Sequence, residues 1–372
     1  MITRDLRDAI ARAAAAAGFA PADPGLRPGG RPGRYASSVA FELGKDPRET
    51  AGHLAPLLTR EPWIARADVT GPGYLTITVT PEALTAVGDR IAQAGPDSAR
   101  SEALRGVTLQ AQPAADLLAA ATWEEARAAL AAELTARLAV AAGATVIAPG
   151  HPERRREPPP AGSHPAAGAS ATFRSEEERG KAAAIGESYG AAARGTAAGE
   201  RSAAGERDGR PVAAAVAFAG LDTVRFSLAR AVPGRPVRID PAKIARYVPD
   251  NPAYAVRYAH ARAASGVRWA AASRGPEAAP RCPPADPGEL ALLDALSWLP
   301  ERVATAARRG RPDEFARYLE QLASVTIATL SGASHPGSAR APGTGKLTVA
   351  RAAQTGLAAG LELLGVSAPD RL

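Results

Sequence analysis

Residues 251–262 read Asn-Pro-Ala-Tyr-Ala-Val-Arg-Tyr-Ala-His-Ala-Arg, a crowd of rings and cations on a segment that begins like a helix. Asn251 can cap free amides, and Pro252 fits the first helical position, where a missing N–H costs nothing. On a helix Tyr254, Tyr258 and Arg262 fall at i, i+4 and i+8, while Arg257 and His260 make a second row three residues apart. Rings stack on unpaired bases and guanidiniums meet phosphates, so these residue types suit an unstacked, phosphate-rich loop. The plainer reading of the pattern alone is an amphipathic core helix with half-buried tyrosines. Gly73, Tyr74 and Thr76 form a second candidate, at the head of an alternating strand that follows Gly71-Pro72-Gly73. There too the bland alternative stands, with Tyr74 stacked on a neighbouring helix.

Other chemistry is thinly represented. Gly343-Thr344-Gly345-Lys346 hints at a phosphate loop, but Arg340 occupies the required earlier glycine and Leu347 the magnesium-holding Ser/Thr. His53, His151, His164, His260 and His335 show no ligand spacing, and Cys282 is the single cysteine. No metal and no cofactor is expected, and neither a disulfide framework nor a cysteine-based zinc site is available. No Ser/His/Asp arrangement is visible in the sequence, and such triads are spatial. The net charge of +7 is carried almost wholly by arginine, the lysines being Lys45, Lys181, Lys243 and Lys346. A basic surface suits a nucleic-acid partner. No charge-free run reaches membrane-spanning length, and Asp5, Asp8 and Arg12 interrupt the first apolar stretch. The expectation is a soluble cytoplasmic protein without membrane contact.

Several elements must position the candidates. Residues 3–18 read as an amphipathic helix with Leu6 and Ile10 inward, ended by Gly18. Ala36, Val39, Ala40 and Leu43 make a helical stripe. Asp46-Pro47-Arg48-Glu49 starts another helix, in which Pro56 predicts a kink. In the strand Tyr74–Thr80, Leu75, Ile77 and Val79 face the core and Tyr74, Thr76 and Thr78 face outward. A strand over 107–112, a helix from about Thr122 to Ala142 and a strand from Gly143 make one βαβ unit, with Trp123, Leu130, Leu138 and Val140 largely on one side. Residues 151–211 are low complexity, with little apolar material to offset the entropy of ordering. Beyond 251–271 and a Pro-rich loop at 275–287, three helices follow. One starts at Asp286 and bends at Pro300, one runs from Pro312 to Gly332, and one carries Leu347, Leu357, Leu361 and Leu364 before Gly365.

Asn-Pro-x-Tyr-x-Val-x-Tyr-Ala-His-Ala-Arg resembles the helix that opens the DALR-type anticodon-binding domain of arginyl-tRNA synthetases. That family usually has a second Tyr at Ala255 and Gln at Arg257. Tyr-Ala-x-x-Val-Ala, the Pro-Arg-Glu helix start and Gly-Pro-Gly-aromatic resemble the family's N-terminal additional domain. The resemblance implies that Tyr74 helps recognise the tRNA D-loop, with Thr76 standing where the family has Asn. The βαβ unit is similar to the opening of a class I catalytic domain, whose His-x-Gly-His grips ATP. Counting back from Gly143 places Thr122-Trp123-Glu124-Glu125 there, and two carboxylates repel a triphosphate. No loop pattern surrounds Lys181 where the family has a lysine loop. Gly-x-Asp-x-x-Arg-Phe from Gly220 resembles the helix after that loop, and the Leu-Leu-Gly ending at 363–365 resembles the family terminus.

The fold expected is α/β plus all-α: a small N-terminal α+β domain (1–95), a truncated Rossmann-like βαβ remnant (104–150), a disordered linker (151–211), connector helices (212–250) and a C-terminal helical-bundle anticodon-binding domain (251–372). The function implied is a non-catalytic arginyl-tRNA synthetase paralogue that binds tRNA, by its resemblance tRNA-Arg. Two alternatives stay open: a divergent arginine–tRNA ligase or an accessory subunit of one, and a protein-interaction scaffold that has lost RNA and keeps a protein partner.

Overall fold

The computed structural model describes residues 1–110, 113–147, 210–272, 286–331 and 344–372, excluding the side chains of 344–346. Helix α1 (Ile2–Ala16) buries Leu6, Ala9, Ile10, Ala13 and Ala14, the stripe expected of an amphipathic helix. Four strands follow, β1 (Arg27–Pro28), β2 (Arg34–Ser37), β3 (Ile64–Thr70) and β4 (Tyr74–Val79), in the spatial order β1-β2-β4-β3. All neighbours are antiparallel. Leu75, Ile77 and Val79 of β4 are buried as their alternation requires.

Two expectations here are corrected. The helical stripe from Ala36 to Leu43 is broken, because residues 34–37 are a strand that places Tyr35 opposite Ile77 and Ala36 opposite Thr76. Only Ala40–Leu43 (α2) turns helical. The open edge of β4 supplies ladder bonds that outweigh a short helical stripe, and Tyr35 buries its whole ring in the process. Thr76 is buried instead of outward-facing. It sits between Ala36 and Asp68 on the central strand, and its hydroxyl meets that of Thr70 at 3.1 Å.

Helix α3 (Pro47–Leu58) starts where Asp46 accepts from the Arg48 and Glu49 amides, and it continues through Pro56. Helix α4 (Pro81–Ala94) is capped by Thr80. Strands β5 (Thr108–Gln110) and β6 (Thr145–Ile147) pair in parallel across helix α5 (Trp123–Ala141), a βαβ unit with shorter strands than expected. Leu130, Leu134 and Leu138 of α5 are buried, but Val140 is exposed. A residue two beyond Leu138 is turned by about 200° from it, off the buried side.

Helices α6 (Pro211–Ala219), α7 (Leu221–Arg230) and α8 (Pro241–Ile244) follow. The bundle comprises α9 (Pro252–Ala272), α10 (Pro287–Ser297), α11 (Leu299–Arg309), α12 (Pro312–Ser331) and α13 (Thr344–Leu364). The helix expected to bend at Pro300 is two helices, parted at Trp298, with Pro300 in the first turn of α11. A full capping box at Asp286 and Glu289 opens α10. Leu319 of α12 presses on Gly360 of α13, where a Cβ would lie 2.4 Å from it. The low-complexity segment 151–211 and the Pro-rich loop 275–287 lie almost wholly outside the described residues. So do Lys181, Cys282 and the side chain of Lys346.

The N-terminal unit is docked on the bundle. Helix α4 packs against α10 and α13, where Gly88 meets Leu293 and Thr348. Arg7 grips Glu301 with two bonds, at 3.0 and 2.7 Å. The buried Tyr35 hydroxyl donates to Asp294 Oδ1 at 2.7 Å, the Gly33 amide donates to the same oxygen at 3.2 Å, and the Tyr35 ring lies 5.6 Å from that of Trp298. A second joint ties the βαβ unit to the bundle. Arg225 of α7 pairs with Glu133 of α5 and donates from Nε to the Leu364 carbonyl at 2.7 Å. The Ala115 amide donates to the other Glu133 oxygen at 2.8 Å. Burial alone would raise the Glu133 carboxyl, but the Ala115 amide and the Arg225 guanidinium hold it below the ordinary Glu range.

Candidate nucleic-acid interface

Helix α9 begins differently from its sequence expectation. Asn251 is buried, and its side-chain amide donates to the carbonyls of Ile244 and Arg246. It therefore fastens the loop before the helix and does not cap the helix. The Ala255 amide bonds the Asn251 backbone carbonyl at 2.8 Å and closes the first turn. The braced loop presents Tyr247, which is 78% exposed.

Tyr247, Tyr254 and Tyr258 form a continuous ladder. Tyr247 meets Tyr254 edge to face at 5.7 Å, and Tyr254 stacks on Tyr258 at 5.6 Å with the planes 20° apart. Tyr258 is 38% exposed and Tyr254 is half-buried. The i, i+4 spacing makes the Tyr254–Tyr258 stack. Tyr247 lies outside the helix, so no periodicity in the sequence announces it.

The other candidates on α9 face inward. Arg257 lies 3.6 Å from Asp222 and donates to the Ser367 hydroxyl at 3.3 Å, toward α7 and the C-terminal tail. His260 is buried, with Nδ1 3.0 Å from the Pro369 carbonyl, so that nitrogen bears the proton. Arg262 donates to the Leu330 carbonyl near the end of α12. The two tyrosines thus share a surface, whereas Asn251, Arg257, His260 and Arg262 are engaged with the fold.

At the second candidate, Gly73 has φ +141°, and a Cβ there would meet Pro47 at 2.5 Å. Only glycine fits that close approach to the start of α3. Arg48 donates to the Gly71 carbonyl at 3.2 Å and closes the turn on the helix. Tyr74 is 44% exposed and packs on Phe41, 40% exposed, with centroids 4.8 Å apart. This aromatic pair stands at the surface while Thr76 is buried beneath. Sequence reasoning missed Phe41, which comes beside Tyr74 only when β2 and β4 pair.

The start of α5 is closed by its own side chains. Thr122 accepts from the Glu125 amide, Glu125 accepts from the Ala121 amide at 2.9 Å, and Glu124 accepts from the Val237 amide at 3.0 Å. The Val237 and Glu124 amides hold the Glu124 carboxyl low. An anion-binding helix start has free amides and no carboxylates; this one has two carboxylates in its first turn. Among the described residues no cluster of His, Cys, Asp and Glu could hold a metal ion, and no helix is long and apolar enough to cross a membrane.

Comparison with known proteins concerns the bundle first. Residues 256–372 match the family model of the DALR anticodon binding domain. The arginine–tRNA ligase of Bifidobacterium longum NCC 2705 is 37% identical over 186 residues, covering 42% of this chain and 29% of that protein. That of Frankia alni is 37% identical over 164 residues, covering 41% and 29%. That of Micrococcus luteus is 35% identical over 171 residues, covering 42% and 30%. The chain therefore spans under a third of the length of these relatives. The Thermus thermophilus arginyl-tRNA synthetase structure superposes with a TM-score of 0.61 over the whole of both chains at 18% identity, a likeness of fold alone. The C-terminal part of this chain is a DALR anticodon-binding domain, homologous to arginine–tRNA ligases.

Proposed function

We propose that the protein binds tRNA, specifically tRNA-Arg, as a non-catalytic relative of the arginine–tRNA ligases, in the cytoplasm. The observation that carries this is the tyrosine ladder at the helix that leads into the residues matching the anticodon-binding family. Exposed rings take unstacked bases of an anticodon loop, and each stacked base contributes about 1–3 kcal/mol. The Phe41–Tyr74 pair is a second stacking platform, at the position where the sequence resembles the D-loop-reading strand. Buried Thr76 offers no base-reading group, so shape and stacking do the work there. Arg257, His260, Arg262 and Asn251 set the shape of the anticodon platform from behind.

The absence of charging rests on the start of α5. Glu124 and Glu125 place negative charge where an ATP-binding helix start would receive phosphates, and Coulomb repulsion with a triphosphate is strong at such range. Neither cofactor nor metal is needed for recognition.

A gel-shift series with total tRNA at rising salt tests the binding, with a shift at low salt that fades as salt rises. No shift even at low salt refutes the reading. Tyr258→Ala lowers the affinity by roughly 5- to 150-fold, the equivalent of one lost stacked base. ATP–pyrophosphate exchange with arginine tests the second part, and measurable exchange would make the protein a divergent ligase.

A further inference from the structure

Beside the ladder lies a cavity of about 440 Å³, bounded by Phe226, Arg230, Arg238, Lys243, Ile244 and Pro252. We propose that this cavity takes a nucleotide phosphate of the same RNA strand that stacks on Tyr247, Tyr254 and Tyr258. The inference rests on the tRNA-binding reading and extends it to a second contact for the strand.

Charge points to the ligand class. Arg230, Arg238 and Lys243 line the cavity against one carboxylate, Asp240. Arg230 is held by Glu320, and Lys243 lies 3.9 Å from Asp240. Asp240 is itself occupied in capping α8 through the Ala242 amide. Arg238 is exposed and has neither hydrogen bond nor ion pair among the described residues. A free guanidinium over a partly apolar floor suits a phosphate with its sugar or base against the wall. The volume lies in the range of small-ligand sites, about 300–1,000 Å³.

Position points to a strand in preference to a free nucleotide. Ile244 and Pro252 bound the cavity, and the loop between them carries Tyr247 and is fastened by Asn251. Tyr254 follows two residues after Pro252. One short segment therefore forms both the cavity wall and the first rung of the ladder, so adjoining nucleotides occupy the two sites together. Anchoring a strand at two linked places raises its effective concentration at each.

The test uses the full chain, a fluorescein-labelled 12-residue oligouridylate and AMP. Arg238→Gln with Lys243→Gln should weaken oligouridylate binding about tenfold at low salt and flatten the slope of log K against log salt by roughly 0.7–1.4. Both side chains are exposed, so the melting curve should match that of the native chain. Tyr254→Ala with Tyr258→Ala should weaken the same probe and leave the slope intact. Native binding with unchanged affinity and slope in the Arg238/Lys243 variant overturns the cavity assignment and leaves the ladder standing. No oligouridylate binding by the native chain, together with no tRNA shift, overturns both. AMP that binds as tightly as the oligonucleotide, and needs Arg238 and Lys243 when RNA does not, makes the cavity a free-nucleotide site and overturns the strand assignment.

Discussion

Replacing Arg225 with Ala removes the joint between the βαβ unit and the bundle. In the native chain the Arg225 guanidinium serves a Glu133 oxygen and the Leu364 carbonyl, and both Arg225 and Glu133 are about nine-tenths buried. Two hydrogen bonds to charged groups contribute about 1.5–3 kcal/mol each, so their loss alone is worth about 3–6 kcal/mol. Arg137, 3.4 Å from Glu133 Oε1, can move in and recover part of this. Breaking a buried pair at one end costs about 3–5 kcal/mol in general, and Arg137 places the expectation near 3 kcal/mol. That is about a 150-fold change in the folding equilibrium.

The pH dependence gives an independent reading of the same joint. Glu133 is held below its ordinary 4.5 in the folded chain, so its stabilisation is present above that value and is lost as pH falls through the folded pKa. Without Arg225, burial pushes the carboxyl back up, and that acid loss shrinks. The gap between native and Arg225→Ala should therefore be widest near neutral pH and should narrow below about pH 4.5. Urea unfolding followed by circular dichroism at pH 7 and pH 4 measures both. The double change Glu133→Leu with Arg225→Met should recover most of the loss, since an apolar pair replaces a buried ionic one at little cost. A variant within about 0.5 kcal/mol of native at pH 7, the range of an ordinary surface substitution, would show that the joint does not hold the two units together.

Gly365→Ala should cost about 2 kcal/mol in the same urea assay, because φ is +66° and the new Cβ would lie 2.6 Å from Arg225 Nε. The cost should fall when combined with Arg225→Ala, and strict additivity would refute the contact. Tyr35→Phe removes the hydroxyl bonded to Asp294, at about 2 kcal/mol for a charge-assisted bond. Burial raises the Asp294 carboxyl, so that group favours the folded state increasingly as pH falls toward its ordinary value. The Tyr35→Phe penalty should therefore shrink on acidification from pH 7 to pH 4, and a penalty independent of pH would refute the assignment.

Much of the framework was legible because it is local. The alternation of Leu75, Ile77 and Val79 marks a strand whose sides are fixed by a two-residue period. The helix start at Asp286 and the leucines of α13 mark helices for equally local reasons. Residues 34–37 depart from their local pattern because a four-residue stripe is weaker than a ladder offered by a strand some forty positions away. Thr76 is buried against its pattern because alternation tells which side of a strand a residue takes and says nothing of what covers that side.

The candidate site divides along the same line. From Asn251 to Arg262 the sequence determined a helix, its tyrosine spacing and a set of groups able to meet RNA, since each depends only on residue type and the 3.6-residue turn. Which of those groups reach solvent was decided by packing. The C-terminal tail takes Arg257 and His260, the end of α12 takes Arg262, and the loop before the helix takes Asn251. Tyr247 joins Tyr254, and Phe41 joins Tyr74, through contacts between segments that no period relates. A side chain's chemistry is set by its type, but its availability is set by what other parts of the chain bring against it, and that is a property of the tertiary structure alone.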